Sequence, residues 1–130
     1  MKVVDASAVV DVLADRARDA RLLDVFAQGD LHAPHLLDVE VAQALRRLIA
    51  TGRLTADSAS DAQLDAAALP IVRYPHVALV ERAWELRENL SIYDGVYIAL
   101  AEILGAPLVT CDARLASTSV HRAVVELYAQ

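Results

Sequence analysis

At 130 residues and 14.0 kDa, the chain has the length of a single domain, residues 1–130, built on one hydrophobic core. Its 56% hydrophobic content and mean hydropathy of +0.35 raise the question of a membrane, but no stretch of about 18 apolar residues runs free of charge. A formal net charge of -6 excludes a protein that binds nucleic acid by general attraction to its phosphates.

The start, with Lys2 and then Asp5, offers no apolar core for a signal peptide, and Cys111, the only cysteine, allows no internal disulfide. The expectation is a soluble, cytoplasmic protein with no membrane partner.

The run from Lys2 to Val4 ends at Asp5 and suits a central parallel strand covered on both faces. Val9, Val10, Val12 and Leu13 then predict a helix, with Ser7 as its cap. In open α/β sheets the ligand crevice lies beyond the carboxyl ends of the strands, so Asp5 is expected on its rim. Leu22, Leu23 and Phe26 predict a helix over 17–27, closed by Gly29. An extended piece over 31–33 runs into Pro34. Leu37, Val41, Ala44, Leu45 and Leu48 mark an amphipathic helix over 35–51, stopped at Gly52. Thr55 or Asp57 opens an Ala-rich helix to about Ala68, and a strand follows over 70–74. Val77, Val80, Ala83, Trp84 and Arg87 predict one further helix. Ser91 caps the next, which runs through Val96, Ile98 and Leu100 to Gly105. Strands are expected over 108–110 and 124–127, with a short helix over 113–116 between them. Strands separated by helices of ten or more residues imply an α/β fold with a parallel sheet between helical layers.

Four acids stand out. Asp5 and Asp112 both end strands. Glu40 lies beside the apolar stripe Leu36, Leu37, Ala44, Leu48, where a buried, ionised and unpaired carboxylate would cost several kcal/mol. Asp94 begins an otherwise apolar helix, where free N–H groups favour an anion. Each has a local alternative: Glu40 reaching water at the stripe's edge, Asp94 completing a Ser-x-x-Asp capping box with Ser91, Asp112 capping the helix over 113–116. Four carboxylates converging on one crevice would repel unless a divalent metal joined them, and all-oxygen ligation points to Mg²⁺ or Mn²⁺.

Val-Val-Asp-Ala-Ser at 3–7, Glu40 in its Leu-rich helix, Tyr-Asp-Gly-Val-Tyr-Ile-Ala-Leu-Ala-Glu at 93–102 and Thr-Cys-Asp-Ala-Arg-Leu at 110–115 resemble the signature blocks of PIN-domain ribonucleases. In size and N-terminal start the chain is similar to the VapC toxins of type II toxin–antitoxin pairs. The resemblance implies a five-stranded parallel sheet between helices and Mg²⁺-dependent cleavage of structured RNA, of the tRNA or rRNA class. It also implies homodimerisation and neutralisation by a cognate antitoxin. It places Asp5, Glu40, Asp94 and Asp112 in the acidic quartet, with the Ser7 and Thr110 hydroxyls beside it. Gly95 stands where the family often has Ala or another small residue, a departure without expected consequence. After Asp112 the next acid is Glu126, so the fifth carboxylate of some members is missing.

The chemistry so implied is hydrolysis by metal-activated water, with one ion held by Asp5 and Asp94 and Asp112 nearby, and Glu40 either holding a second ion or acting through a bound water as general base. Arg46, Arg47 and Arg114 are candidate phosphate contacts. His32 and His35, broken by Pro34, are expected to be structural or solvated rather than ligands, and Cys111 a buried hydrophobe rather than a nucleophile. Trp84 and the tyrosines are too scattered for a base-stacking platform. Two rivals remain: a haloacid-dehalogenase-like phosphatase, which needs a second Asp where Ser7 stands and a catalytic Lys, and a non-enzymatic α/β interaction module indifferent to metal.

Overall fold

A computed structural model describes residues 1–14, 16–17 and 19–128. Strands β1 (Lys2–Val4), β2 (Leu31–Pro34), β3 (Ile71–Tyr74), β4 (Leu108–Thr110) and β5 (Val125–Leu127) form one parallel sheet in the order β3-β2-β1-β4-β5. Val3 pairs with His32 on one side and Leu108 on the other, which makes β1 the central strand. Val3 and Val4 are fully buried, as expected of a strand covered on both faces. The order runs outward from β1 through β2 to β3, then restarts across β1 at β4. The crevice beyond the carboxyl ends of β1 and β4 is therefore the topological switch point, where open α/β sheets bind ligands.

Helices α1 (Ala6–Leu13), α2 (Ala20–Gln28), α3 (Leu36–Ala50) and α4 (Ala56–Ala68) make one packed group; α5 (Val80–Glu85) and α6 (Ile92–Leu104) make another, with α6 lying against β1, β2 and β4. Right-handed crossovers place the two groups on opposite faces of the sheet. A short α7 (Ala113–Ala116) packs on β5. Helix α6 is buried without interruption from Gly95 to Ala101, and so is apolar on every side. A Cβ at Gly95 would stand 2.9 Å from both the Cα and the Cβ of Ala83. The missing side chain thus sets how closely α5 and α6 approach, and a small residue such as Ala is not interchangeable with Gly here.

Three local expectations change. Asp5, not Ser7, caps α1: its carboxylate accepts the Ala8 N–H at 3.1 Å, while Ser7 lies inside the helix. The helix expected over 17–27 begins at Ala20, because the Asp19 carboxylate accepts the Arg21 N–H; residue 18 of that range lies outside the described residues. The single helix expected from Val77 to Arg87 divides into a 3₁₀ turn (Val77–Leu79) and α5, since neither His76 nor Leu79 supplies a side-chain cap. Among the described residues no helix is long and apolar enough to cross a membrane.

Candidate active site

The crevice is built around Asp5, which is 5% exposed. One carboxylate oxygen accepts from the Thr110 hydroxyl at the end of β4, and the other from the Ser7 hydroxyl at 2.7 Å and the Ala8 N–H. Ser7 also accepts the Cys111 N–H at 2.9 Å, and the Thr110 hydroxyl accepts the Asp112 N–H at 2.9 Å. Ser7 and Thr110 therefore stitch the ends of β1 and β4 together, and hold Asp5 at the switch point. Burial pushes the Asp5 carboxyl up to about 6 against these hydrogen bonds, and the charge of Asp112 pushes it the same way.

The other three acids surround it from different elements. Glu40, half-buried on α3, is raised by burial, lowered by the Tyr97 hydroxyl, and raised again by the charges of Asp94 and Asp5. Asp94, in the first turn of α6, is raised by burial and by Asp112, with Arg114 and Ser91 opposing. The Ser91 hydroxyl accepts the Asp94 N–H at 3.1 Å, but the return bond of a full capping box, from the Ser91 N–H to the Asp94 carboxylate, is not made. The carboxylate is under the electrostatic influence of both Asp112 and Arg114. Asp112 does cap α7, accepting the Arg114 N–H at 3.0 Å, and the Arg114 guanidinium holds its carboxyl below the ordinary range.

Among the described residues no three His, Cys, Asp or Glu side chains are gathered so as to hold a metal ion. The chemistry of the set nevertheless fits a hard divalent cation: the donors are all oxygen, and three of the four carboxylates are pushed up by burial and by the charge of other members of the set, a cost that a cation relieves. Asp112 is the donor held aside, by Arg114.

Tyr97 belongs to this site and was not singled out among the candidate residues. It is 1% exposed, and its hydroxyl completes no hydrogen bond of full geometry. Burial raises it most, and next the charge of Glu40, toward which the hydroxyl dipole acts. It follows Asp94 by three residues, on the same face of α6. That spacing, with a phenol amid the apolar run from Val96 to Ala101, was the available signal.

The remaining candidates fall elsewhere. Glu126 is bound by Lys2 at 2.7 Å, so it supplies no fifth carboxylate and leaves no free lysine for a phosphatase. Cys111 is buried and its thiol is pushed by burial to about 12, which disables it as a nucleophile. His32 sits between the Tyr74 hydroxyl (2.7 Å) and Asp30 (2.8 Å) and ties β2 to β3; exposed His35 faces His76 instead. Arg47 lines a cavity of about 450 Å³ that reaches Ser7, and Arg114 lines a second of about 860 Å³ on the other side of Ser7. Arg46 is exposed and lines neither.

A parallel α/β sheet with carboxylates from four elements around its switch point defines a class of acidic-crevice domains, and comparison with known proteins says which. Residues 2–120 match the PIN domain family. Ribonuclease VapC9 of Mycobacterium tuberculosis is 47% identical over 118 residues, covering 91% of each chain, and ribonuclease VapC1 of the same species is 46% identical over 120 residues, covering 88% of each. The crystal structure of PAE2754 from Pyrobaculum aerophilum shares the fold with a TM-score of 0.67 and 28% identity, over 95% of this chain and 82% of that one. The chain belongs to the PIN domain family, in its VapC-type branch.

Proposed function

We propose that the chain is a divalent-metal-dependent endoribonuclease, the toxin of a toxin–antitoxin pair, acting in the cytoplasm on structured RNA of the tRNA or rRNA class. The observation that carries this reading is the strand-end carboxylate of Asp5, anchored by Ser7 and Thr110 at the switch point, with Glu40, Asp94 and Asp112 near enough to act on it or on one another electrostatically. The names of its relatives VapC9 and VapC1 point the same way. Asp5, Asp94 and Asp112 would hold Mg²⁺ or Mn²⁺, with Glu40 on a second ion or on the attacking water. The ion, when bound, supplies charge neutralisation at the scissile phosphate and a water of lowered pKa. Ser7 and Thr110 fix Asp5 so that it need not reorganise during the reaction. Glu40, raised by burial, is suited to accept a proton from water. Val39, Val77, Trp84 and Ile103 are large, apolar and exposed, which leaves surface for a second copy of the chain and for a cognate antitoxin.

The test is induction of the chain in bacterial cells, with Asp94→Asn as control, and mapping of new 5′-phosphate RNA ends by sequencing. A few sharp ends, present with the wild type and absent with the variant, are expected. No new ends from abundant wild-type protein would remove the nuclease reading and favour an interaction module.

A further inference from the structure

The arginines divide into two sets. Arg21 is paired with Asp19, Arg73 with Asp38, Arg82 with Glu102 and Arg114 with Asp112, while Arg87 lies over the Trp84 ring. Of the other described arginines, Arg16, Arg46, Arg47, Arg53 and Arg122 have no acidic partner within ion-pair distance, and three of these five, Arg16, Arg47 and Arg53, line the one cavity of about 450 Å³ between α1 and α3. In a chain of net charge -6, three unneutralised guanidiniums on one cleft are not general solvation.

They arrive there from separate segments. Arg47 lies in the last turn of α3, a position that also suits the helix dipole. Gly52, with φ of +74°, then reverses the chain, and the Arg53 N–H returns to the Leu48 carbonyl at 2.8 Å, bringing Arg53 back beside that turn. Arg16 comes from beyond α1, its N–H bonded to the Asp11 carbonyl at 2.7 Å. The dipole explains Arg47 alone; it does not explain three cations on one cavity. Asp11 is the acid of this wall, and its charge acts on the Cys111 thiol. The far end of the cavity is Ser7, whose hydroxyl is bonded to Asp5.

We propose that this cleft is a phosphate track: Arg16, Arg47 and Arg53 grip successive phosphates of a single RNA strand that leaves the acidic crevice past Ser7. The inference rests on the nuclease reading and adds to it the path of the substrate and its unpaired state. A polyanion is required because the cations are unpaired. A nucleic acid is favoured over an acidic peptide because the cleft reaches Ser7, whose hydroxyl is bonded to Asp5, so that a strand held here passes next to the residue that anchors the acidic crevice. A single strand is favoured because a cavity of about 450 Å³ is too small to admit a duplex. Across Ser7, in the cavity of about 860 Å³, Arg21 and Arg114 are already paired to acids. The grip on the strand is therefore one-sided.

The experiment is a salt titration of binding, read by fluorescence anisotropy, between the Asp94→Asn chain with Mg²⁺ and a fluorescein-labelled single-stranded RNA. Each phosphate contact on a single strand contributes about 0.7 to the slope of log K against log salt, so combining Arg16→Gln, Arg47→Gln and Arg53→Gln should lower the slope by about 2. Arg53→Gln alone should lower it by about 0.7. Arg87→Gln, which removes the same charge outside the cavity, should leave it unchanged. An unchanged slope in the triple variant overturns the track while leaving the nuclease reading, tested by wild-type 5′-phosphate ends, intact. An equal slope change on a fully duplexed RNA overturns the single-strand assignment. Binding of poly-glutamate that needs the three arginines, with RNA binding that does not, reassigns the cleft to an acidic protein segment and overturns the proposal.

Discussion

The guanidinium of Arg114 holds both carboxylate oxygens of Asp112, with Nη2 at 2.7 Å from Oδ2 and Nε at 3.1 Å from Oδ1. Asp19 and Arg21 repeat this arrangement at the start of α2, on the wall of the same cavity of about 860 Å³, so Asp-x-Arg at a helix start forms the fork by local geometry. At Asp112 the fork has a consequence that it lacks at Asp19: a cation in the crevice must compete with Arg114 for the carboxylate. Arg114→Ala is expected to tighten Mn²⁺ binding to the RNA-free chain by a few-fold, an effect kept small because Arg114 is largely exposed and screened. Titration followed by electron paramagnetic resonance measures it. Weaker Mn²⁺ binding in the variant would show that Arg114 orders Asp112 for the ion rather than competing with it.

Gly95 and Ala83 set the spacing of α5 and α6. Gly95→Ala adds a methyl group against backbone rather than a flexible side chain, which costs about 1–3 kcal/mol of overpacking, offset by up to about 1 kcal/mol of helix preference. With the full helix preference realised, a net loss of up to about 2 kcal/mol in urea denaturation is expected. Since α6 carries Asp94, RNA cleavage should also fall at temperatures where the variant remains folded. A variant as stable and as active as the wild type would mean that α5 yields without disturbing α6.

The parts of this fold that were legible in the sequence are those with local causes. The run Val3, Val4 before Asp5 reads as a buried strand with an acid at its end, and Ser91 and Gly105 mark both ends of α6, the latter at φ of +61°. What was not legible depends on residues far apart in the chain. Ser7 looks like a helix cap until β4 arrives beside β1, when the Cys111 N–H becomes its partner and Asp5 takes the cap. The capping reading of Asp94 holds in part, through its N–H to the Ser91 hydroxyl, but Asp112, which acts on the same carboxylate, comes from a distant stretch of the chain.

Glu102 makes a pH-dependent contribution to stability. It is 4% exposed at the side chain and accepts from Arg82 Nε at 2.9 Å, Arg82 Nη2 at 3.1 Å and the Arg122 N–H at 2.7 Å, joining α6 to α5 and to the segment before β5. Arg82 first, then the Arg122 N–H, holds its carboxyl below the ordinary value of 4.5 against the opposing effect of burial. A lowered folded-state value means that the unfolded chain takes up the proton first as pH falls. The stabilisation is therefore fully present above about 4.5 and is lost as pH falls through the lower folded value. Glu102→Gln should cost about 1–3 kcal/mol near neutral pH, with the gap to wild type closing below that window. Urea midpoints across the acid range test this, and a gap independent of pH would assign the loss to packing alone.

Tyr97 and Glu40 come from α6 and α3 and meet across the crevice. The Tyr97 hydroxyl is fully buried without a complete hydrogen bond, and its strongest side-chain interaction is with Glu40. A buried hydroxyl without a partner is costly in the resting protein, so removing it with Tyr97→Phe should leave thermal stability unchanged or slightly raised. If the hydroxyl completes its bond to Glu40 when substrate and cation fill the crevice, as the proposed reaction requires of a fixed carboxylate, the same change should lower kcat while KM holds. A hydrogen bond to a charged group is worth about 1.5–3 kcal/mol, which corresponds to a fall of roughly tenfold or more. A residue acting through Glu40 must also lose its effect when Glu40 is already altered, so Tyr97→Phe should cause little further loss in a Glu40→Gln background. A purely structural tyrosine would instead lower the melting temperature and reduce activity equally in both backgrounds.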